Sequence, residues 1–574
     1  MFNQEIANIL KEFSELLEMK RVPFKPRAYE KAAMAISMLD KDISDLYKAG
    51  GLKALEEIAG VGRGIAERIE EYIKTGHMRD YEKLKKKLPV DLRALTSIEG
   101  VGPHMVKMLY DKLHIKDIDS LERAAQMGKI RTLPHFGVKS EKKILDGIAF
   151  YKKSRGRMSL GEAFPVARSI VRKLQEMDVV LLAEAAGSMR RWEETIGDID
   201  ILVVSNAPKQ VMDFFSSMPE VTHVYAKGLT KTMVRFRPGI DVDLRIVPRE
   251  SFGAALQYFT GNKSHNIKLR KIAIEKGYKL NEYGLFTGKG KRQRSIAGKT
   301  EEEIYKALGM QCPPPEMRLN VGEIELAKRK KLPRLITIGD LKGDLQVQTF
   351  WTDGSDTIEE MAKEARAMGH AYIAITDHTK GLPMTGGSDE KRLLKQIKEI
   401  KRVNKKIRGI SILSGAEVNI MKDGSLDIAD TVLKKLDVVG AGIHSHFQLS
   451  RKDQTKRVIK TMENPHVDIL FHPTARLINK REPVELDMEQ IFKAARRTGT
   501  ALEINAHPMR LDLKGEYIRK AKQMGAKFVI STDAHSKKDF QLLEYGIGQA
   551  RRGGLEKKDV LNTRPLRSFL KSLK

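Results

Sequence analysis

The spacing of apolar residues changes twice along this chain, and each change predicts a different kind of fold. Up to about residue 150, apolar side chains recur at helical spacing, as in Ile6, Ile9, Leu10 and Phe13. Near residue 179 the pattern becomes short runs rich in Val and Ile, which are typical of strands. From 339 to 574, strand-like runs alternate with charged helical segments, which predicts an α/β architecture compatible with a barrel.

Length, charge and cysteine content limit the class of protein. The 574 residues are enough for about three to five domains. Lys and Arg outnumber Asp and Glu by 104 to 75, which leaves a polyanion-binding protein and an ordinary basic protein equally open. Cys312 is the single cysteine, so an intramolecular disulfide and a cysteine zinc finger are excluded. With no secretory leader and no apolar run of about 18 residues, we expect a cytoplasmic protein without a membrane span.

Two segments of the helical part repeat a helix, Gly-Val-Gly, helix pattern. They are LEEIAGVGRGIAERI from Leu55 and LTSIEGVGPHMVKML from Leu95, and LPHFGVKSEKKIL from Leu133 is a weaker third copy. Successive N–H groups at such a turn bind anions, and a phosphodiester backbone fits that site. A plain helical hairpin is the alternative. Two matching copies in a basic chain favour sequence-independent DNA binding through Gly60, Gly62, Gly100 and Gly102.

Paired acids on two strand-like segments predict a metal site. Asp198 and Asp200 alternate along one strand and therefore share a face, and Asp241 and Asp243 do the same on a second strand. Oxygen ligands at this spacing suit Mg²⁺ or Mn²⁺. A lone Asp-x-Asp would more simply be a solvated strand end. Here Gly187 and Ser188, two arginines, the Asp pair and the distal acids occur in order, which predicts nucleotidyl transfer with two metal ions.

This order of motifs resembles the family X DNA polymerases from about residue 1 to residue 318. The specific stretches are GSMRRWEETIGDID, VDLRIVP and QYFTGNKSHNIKLRKIAIEKGYKLNEYGLF. The resemblance implies that Asp198, Asp200 and Asp243 hold the metals, with Asp243 a better match than Asp241. It implies nucleotide contacts from Gly187, Ser188, Arg191, Tyr258, Phe259, Gly261 and Asn266, and a template-strand contact from Arg270. Trp192 stands where many relatives have glycine.

The N-terminal helices resemble the small domain of the same family, which grips a 5′-phosphate at a DNA gap. FKPRAYEKAA matches its phosphate-binding stretch and places Lys25 and Tyr29 in the corresponding positions. Members with deoxyribose-phosphate lyase activity form a Schiff base through a lysine where this chain has Arg68. Arginine stays protonated and is not an amine nucleophile. We therefore predict no lyase reaction at that residue.

The C-terminal half is rich in histidines, several of which directly follow apolar strands. Imidazole and carboxylate groups at strand ends can build a metal cluster that activates water, although a single such histidine is more often structural. The segment resembles the polymerase-and-histidinol-phosphatase (PHP) domain, which uses Mn²⁺, Zn²⁺ or Fe and often acts as a 3′–5′ exonuclease or AP endonuclease. The matching ligand positions are Asp353, His378, Glu417, His444, His472, Asp533 and His535, with His446 matching less securely.

One departure from that family affects the expected chemistry. The family motif His-x-His is replaced in this chain by Gln346 and Gln348. A neutral amide is a poor substitute for imidazole at a transition-metal site, so one metal position should be weak or empty. Two readings stay open: a working phosphodiesterase, or an inactive domain that positions DNA.

The sequence thus predicts a multidomain enzyme with helical helix-hairpin-helix domains, an α+β nucleotidyltransferase palm and thumb, and a distorted α/β barrel. The expected divisions are a DNA-end-binding domain at 1–85, a fingers-like domain at 86–155, the palm at 156–248, the thumb at 249–318, a linker at 319–338 and the PHP domain at 339–574. We expect a monomer that fills short gaps in gapped or primed DNA with deoxynucleoside triphosphates. A DNA-binding scaffold and a transferase acting on RNA or a small molecule are the rival functions.

Overall fold

The computed structural model describes residues 2–20, 22–23, 25–37, 39, 42–58, 60–96, 98, 101–134, 136–154, 157–237, 239–288 and 293–574. The first part is helical, as the apolar spacing predicts. Its described helices are α1 (Phe2–Met19), α2 (Lys25–Ser37), α3 (Ile43–Glu56), α4 (Arg63–Thr75), α5 (Arg79–Lys87), α6 (Leu92–Thr96), α7 (Pro103–Leu113), α8 (Ile118–Gln126) and α9 (Val138–Ser154). One apolar core, from Ile6 in α1 to Ile148 in α9, joins them.

A five-stranded sheet follows the helical part. The elements are β1 (Met158–Ser159), α10 (Leu160–Gln175), β2 (Val180–Ala185), α11 (Gly187–Arg190), β3 (Thr195–Ile196), β4 (Asp198–Ser205), α12 (Pro208–Ser216), β5 (Val221–Lys227), β6 (Lys231–Phe236) and β7 (Ile240–Ile246). The sheet order is β2-β4-β7-β6-β5, in which β4 and β7 are parallel and the other neighbours antiparallel. Apolar side chains of α10 and α12 cover one face and leave the other for the acids.

The next part combines helices with a small antiparallel sheet. It contains α13 (Phe252–Thr260), α14 (Lys263–Glu275), β8 (Tyr278–Asn281), β9 (Gly284–Thr287), β10 (Arg294–Ala297), α15 (Glu301–Ala307) and α16 (Glu323–Lys328). The predicted linker at 319–338 includes α16, whose Ile324 and Ala327 are buried in the core of this part. The many charged residues of that segment made it resemble a linker, but these two apolar residues pack into the core. Part of the segment is therefore folded and is not a simple connector.

The C-terminal part is a seven-stranded parallel sheet with strands in chain order. Its strands are β11 (Gly343–Val347), β12 (Tyr372–Ile375), β13 (Ser411–Asn419), β14 (Val438–Gly442), β15 (Ile469–Leu470), β16 (Ala501–Asn505) and β17 (Phe528–Ser531). Its helices are α17 (Ile358–Ala367), α18 (Glu390–Lys406), α19 (Asp430–Leu433), α20 (Arg451–Met462), α21 (Met488–Thr498), α22 (Gly515–Gln523), α23 (Leu543–Arg552) and α24 (Leu566–Leu570).

The C-terminal sheet is nearly closed into a barrel. A parallel bridge between Val347 and Ala534 links the end of the first strand to the residues after the last strand. The strand residues are buried on both faces, as expected for parallel strands covered by helices. The predicted α/β barrel is confirmed, and the carboxyl ends of its strands meet at one end.

The five-stranded sheet and the barrel share apolar packing. Leu511, Leu542 and Tyr545 of the barrel part belong to the core formed by α10, α12 and the sheet. Ion pairs cross the same boundary, including Arg168 with Glu544 at 2.8 Å. In the described part of the chain, every helix is too short or too polar to cross a lipid bilayer.

Candidate active sites

Two neighbouring parallel strands bring the predicted palm carboxylates together. In the pairing of β4 with β7, Asp198 lies opposite Asp241 and Asp200 lies opposite Asp243. Alternate residues of a strand project to the same face. The intervening Ile199 is fully buried on the opposite face. All four acids therefore lie on one face of the sheet.

The side-chain contacts of Asp243 differ from those of Asp241. Asp241 Oδ1 accepts a hydrogen bond from Arg235 Nη1 at 3.2 Å. Asp243 Oδ2 is ion-paired with Lys231 and Arg245 at 3.1 and 3.0 Å, but its Oδ1 is buried and lacks a hydrogen-bond partner among the described residues. Leaving a buried acceptor unpaired is costly. An open oxygen is what a metal-binding carboxylate would present.

The acidic face is electrostatically unfavourable without a cation. Burial, followed by the neighbouring charges of Asp198 and Asp243, raises the pKa of Asp200 to about 7. A divalent cation would favour the ionised form of all three carboxylates. The donors are hard oxygens, so the residues fit Mg²⁺ or a similar ion.

A tight loop, residues 187–193, lies against this acidic face, and we call it the Gly-Ser loop. Gly187 has φ +66°, and a Cβ at that position would lie 2.4 Å from Asp200 Oδ2. The chain is held there by a hydrogen bond from Ala186 N to Asp200 O at 2.8 Å. Glycine is needed for this close approach. It places the half-buried Ser188 next to the acids.

The two arginines of the Gly-Ser loop have different surroundings. Arg190 donates hydrogen bonds to Glu184, to Thr260 Oγ1 and to Glu301 at 2.8 to 3.0 Å. Arg191 donates to the main-chain oxygen of Thr260. A guanidinium has five N–H donors, so Arg191 can hold that contact and bind an anion as well. Arg190 instead ties the sheet to the neighbouring helical part.

The predicted nucleotide segment closes the other side of this site. Tyr258 lies in α13, and its main-chain oxygen accepts a hydrogen bond from Asn266 Nδ2 on α14 at 2.7 Å. Gly261 has φ +65°, and a Cβ there would lie 3.4 Å from Arg191 Nη1. The segment and the Gly-Ser loop are therefore in direct contact. Two further predicted residues lie on the same two helices, Phe259 and the exposed Arg270.

A basic cavity lies in the N-terminal helical part. It has a volume of about 250 Å³, and the predicted residues Lys25 and Tyr29 line it together with Arg68. Arg68 Nη2 is ion-paired with Asp80 Oδ2 at 2.6 Å. Sequence reasoning missed three further basic residues of the lining, which are Lys20, Lys83 and Lys87. The spacing of Lys83 and Lys87 on α5 puts both on one helical face, a signal that could have identified them.

The Gly-Val-Gly turns start helices as predicted. Gly62 and Gly102 have extended backbones and directly precede α4 and α7. A Cβ added at either glycine would meet no other atom within 4 Å, so both turns have open space beside them. Gly60 has φ +79°, and a Cβ at that position would lie 3.1 Å from Lys31 Cβ. Gly100 lies outside the described residues. The open helix N-termini are suited to an anion.

The barrel places a single buried carboxylate among histidines. Glu417 Oε1 lies 2.7 Å from His472 Nε2 and 2.9 Å from His444 Nε2, and its Oε2 lies 3.6 Å from His378 Nδ1. Burial opposes the ionised form, yet these histidines hold the pKa of Glu417 well below its usual range. His444 is oriented through Nδ1 by Asn419 Oδ1 at 2.7 Å, the kind of outer contact that metal-bound imidazoles have.

A second group of ligands adjoins the first. Asp353 Oδ2 lies 3.7 Å from His378 Nε2 and 3.6 Å from His535 Nε2. His378 thus belongs to both groups, one through each ring nitrogen, and its Nδ1 is buried without a hydrogen bond to the described residues. Nitrogen and oxygen donors at this spacing fit two divalent ions, and His378, whose neutral imidazole has one free lone pair, could be a ligand of either ion but not of both. His446 is exposed and belongs to neither group.

A third metal position does not fit the residues present. Gln346 Nε2 and Gln348 Nε2 each donate a hydrogen bond to Glu417 Oε2 at 2.9 Å. Asp533 Oδ2, the predicted ligand on the same side, lies 3.2 Å from Arg510 Nε. Amide N–H groups and a guanidinium therefore take the place that a metal ion would have beside these carboxylates. The amide substitutions predicted to weaken one position are therefore matched by internal contacts.

Sequence reasoning missed the residues that complete this arrangement. Glu503 is buried on β16, its Oε2 accepts a hydrogen bond from His472 N at 2.6 Å, and burial raises its pKa well above the ordinary value. Asn505 Nδ2 donates to Gln346 Oε1 at 3.1 Å. The alternate spacing of Glu503 and Asn505 on one strand could have drawn attention to them. Arg510 follows the strand in a loop, where spacing gives no such signal.

Four known families match separate parts of the chain. Helix-hairpin-helix families match residues 1–78 and 92–149. The DNA polymerase beta thumb family matches 255–319, and the PHP domain family matches 344–507. The fold therefore joins a polymerase-type nucleotidyltransferase to a PHP barrel in one chain.

The similarity to individual proteins identifies the family more closely. The chain is 37% identical over 577 residues to the DNA polymerase/3′-5′ exonuclease PolX of Bacillus subtilis, covering 100% of both. It is 26% identical over 345 residues to rat DNA polymerase lambda, covering 55% of this chain and 56% of that protein. A probable phosphatase of Thermoanaerobacter is 36% identical over 217 residues, covering 36% of this chain and 84% of that protein. The chain belongs to the family X DNA polymerases, in the form that has a C-terminal PHP domain.

Proposed function

We propose that this chain fills short gaps in DNA by template-directed addition of deoxynucleotides to a primer 3′ end. The observation that supports this most strongly is the meeting of Asp198, Asp200 and Asp243 on one face beside the Gly-Ser loop. These residues would hold Mg²⁺ or Mn²⁺, and the bound ions supply activation of the 3′-hydroxyl and neutralisation of the leaving pyrophosphate.

The remaining residues of this site would bind and orient the nucleotide. Ser188 and Arg191 would hold the triphosphate through a hydroxyl and a guanidinium. Tyr258 to Gly261 would line the deoxyribose, and Asn266 and Arg270 would contact the base and the template strand. This arrangement would disfavour a ribonucleotide. A preference for ribonucleotides in a primed assay would instead support the rival function, a transferase acting on RNA or a small molecule.

The N-terminal cavity would bind the 5′-phosphate on the far side of the gap. Its lining of Lys25, Tyr29 and four other basic side chains supports an anionic ligand. Lys25→Ala should weaken binding of a 5′-phosphorylated gap about tenfold without affecting a 5′-hydroxyl gap. Lys86→Ala, a lysine of α5 outside the cavity, is the matched control. Equal losses with both substrates would contradict a 5′-phosphate site.

We propose that the barrel is a metal-dependent phosphodiesterase that shortens DNA 3′ ends. The two adjoining ligand groups around His378 support this reading, because bound divalent ions of the Mn²⁺, Zn²⁺ or Fe kind would supply an activated water there. Asp353, His535, Glu417 and His444 would be the remaining ligands, with His472 beside Glu417. The alternative is a barrel that positions DNA without cleaving it.

One crossed experiment tests both proposed activities. The full chain is incubated with 5′-labelled gapped DNA and Mn²⁺, with or without deoxynucleotides, beside Asp200→Ala and Glu417→Ala. We expect Asp200→Ala to lose extension and keep shortening, and Glu417→Ala to do the reverse. Undiminished extension by Asp200→Ala would overturn the palm assignment. No shortening by the unaltered chain would favour the DNA-positioning barrel.

Smaller points of the proposal follow from the same chemistry. The Arg68 side chain cannot form a Schiff base, so we propose that the chain lacks lyase activity at that position. We also propose a monomer that acts in the cytoplasm, where a lone cysteine needs no partner. The six-part division expected from the sequence is retained as a proposal for the domain boundaries.

A further inference from the structure

The Gly-Ser loop of the palm is held from behind by the barrel. Trp192 in this loop has φ +56°, a left-handed conformation that is strained for a non-glycine residue. Its indole packs 4.9 Å from the ring of Phe164 and 6.0 Å from that of Tyr545. A Cβ at Gly548 would lie 2.4 Å from the indole. Burial of the indole against α23 offsets the backbone strain.

Two side chains of α23 also fix the main chain of the loop. Gln549 Nε2 donates a hydrogen bond to Trp192 O at 2.9 Å, and Arg552 Nη1 donates to Arg191 O at 2.6 Å. Consecutive carbonyl groups of the palm loop therefore depend on donors from the barrel. The loop cannot shift relative to α23 without leaving buried carbonyls unpaired, which is costly.

Arg552 also sets the charge around Arg191. Its Nη2 lies 2.7 Å from Glu193 Oε2, whereas Glu193 Oε1 lies 3.6 Å from Arg191 Nε. The Arg552 and Arg191 side chains are only 10% and 13% exposed, so water screens these charges weakly. Glu193 is thus shared between the two arginines, and without Arg552 its whole charge would act on Arg191 and compete with an anionic ligand.

We propose that Arg552 and Gln549 of the barrel are positioning residues of the polymerase site. They fix the carbonyls of Arg191 and Trp192, and Arg552 takes up the charge of Glu193 so that Arg191 presents its guanidinium to the triphosphate. This inference rests on the proposed role of Arg191. It means that the barrel supports nucleotide binding in the palm whether or not the barrel itself cleaves DNA.

The test is a steady-state comparison of single-nucleotide gap filling by full-length variants. Arg552→Met should raise the KM for the deoxynucleotide about tenfold and change kcat less than about threefold, because a ligand contact weakens in ground and transition states alike. Arg552→Lys keeps a charge beside Glu193 and should show a smaller rise. Gln549→Leu, which removes only the donor to Trp192, should also raise KM.

The matched control is Arg168→Met. It removes the 2.8 Å ion pair with Glu544, which joins the palm to the same helix α23. The Arg168 guanidinium also lies 4.6 Å from the centre of the Phe164 ring, which packs on Trp192, and methionine keeps an apolar side chain at that position. We expect its KM to match that of the unaltered chain. An unchanged KM in Arg552→Met, or an equal rise in Arg168→Met, would overturn the proposal.

Two further variants separate this inference from its premises. Adding Glu193→Gln to Arg552→Met should recover most of the lost affinity, because the competing charge is gone; a purely structural role for Arg552 predicts no recovery and would contradict the proposal. Arg191→Met tests the triphosphate assignment itself. A raised KM in Arg191→Met with a normal KM in Arg552→Met would refute the inference and leave the assignment of Arg191 intact.

Discussion

The two candidate metal sites of this chain balance charge in opposite ways. In the palm, three carboxylates face one another, and burial with mutual repulsion raises the pKa of Asp200 to about 7. In the barrel, the Glu417 carboxylate is surrounded by histidines and by two glutamine amides, and its pKa is held well below the usual range. Lys231 and Arg245 pair with Asp243, but the repulsion at Asp200 persists and favours an added cation in the palm, whereas histidines and amides surround the barrel carboxylate.

This difference explains why the glutamines are tolerated. Replacing imidazole by amide at a metal position normally removes a ligand and leaves acids unpaired. Here the amides of Gln346 and Gln348 donate to Glu417, and Arg510 lies beside Asp533. The barrel therefore retains two groups of residues that could hold a metal ion, and hydrogen bonds within the protein occupy the carboxylates of the third expected position.

The largest predicted effect concerns the palm acids. Asp243→Asn should reduce gap filling by about a thousandfold or more, because the carboxylate with an open oxygen becomes a weaker metal ligand. Asp241→Asn, on the same strand and face, should retain activity within about threefold, because that acid is 42% exposed and hydrogen-bonded to Arg235 and Tyr225. Single-turnover extension of a gapped substrate measures both. Similar losses in the two variants would mean that the pairing does not distinguish them.

A smaller effect is predicted for restoring the family motif in the barrel. Gln346→His with Gln348→His should raise the Mn²⁺-dependent shortening rate about tenfold or more, because imidazoles replace amides as ligands. Adding Arg510→Gln should increase the gain by removing the competing cation at Asp533. Extension should be unchanged throughout. A double-histidine variant that shortens DNA no faster would indicate that the third position does not limit the barrel.

In the presence of a chelator, neutralising substitutions at the two sites should change Tm in opposite directions. Asp200 has a raised pKa, so its stabilising effect is complete below its ordinary value of 3.8 and is lost as pH rises through about 7. Asp200→Asn stays neutral and should raise Tm by a few degrees near about pH 8, with the gain shrinking toward about pH 4.

Glu417 follows the reverse rule. Its pKa is lowered, so its stabilising effect is present above the ordinary value of 4.5 and is lost as pH falls through the lowered pKa. Glu417→Gln should therefore lower Tm near neutral pH, and the deficit should shrink in acid. Calorimetry across pH measures both variants. The same sign of Tm change in both at about pH 8 would contradict the electrostatic contrast drawn between the sites.

The sequence was sufficient to predict the palm site but not its surroundings. Asp198 and Asp200 share a face through strand alternation alone, and the match of LRIVP favoured Asp243, but only strand register shows that Asp241 is paired elsewhere. The contacts of Gln346 and Gln348 with Glu417 join residues about 70 positions apart in the chain, so periodicity could not reveal them. Trp192 could be recognised from the sequence only as a departure from the family pattern. Its indole packs against Gly548, which lies in a helix more than 350 residues further along the chain.

The central claim about the barrel, that it holds two cations rather than three, is tested most directly by counting bound Mn²⁺. Equilibrium dialysis of full-length Asp200→Ala, in which the palm no longer retains cations, isolates the barrel. We predict saturation at two Mn²⁺ per chain, and a third only after Gln346→His, Gln348→His and Arg510→Gln are combined. Saturation at three in Asp200→Ala alone, or at one or none, would contradict the account.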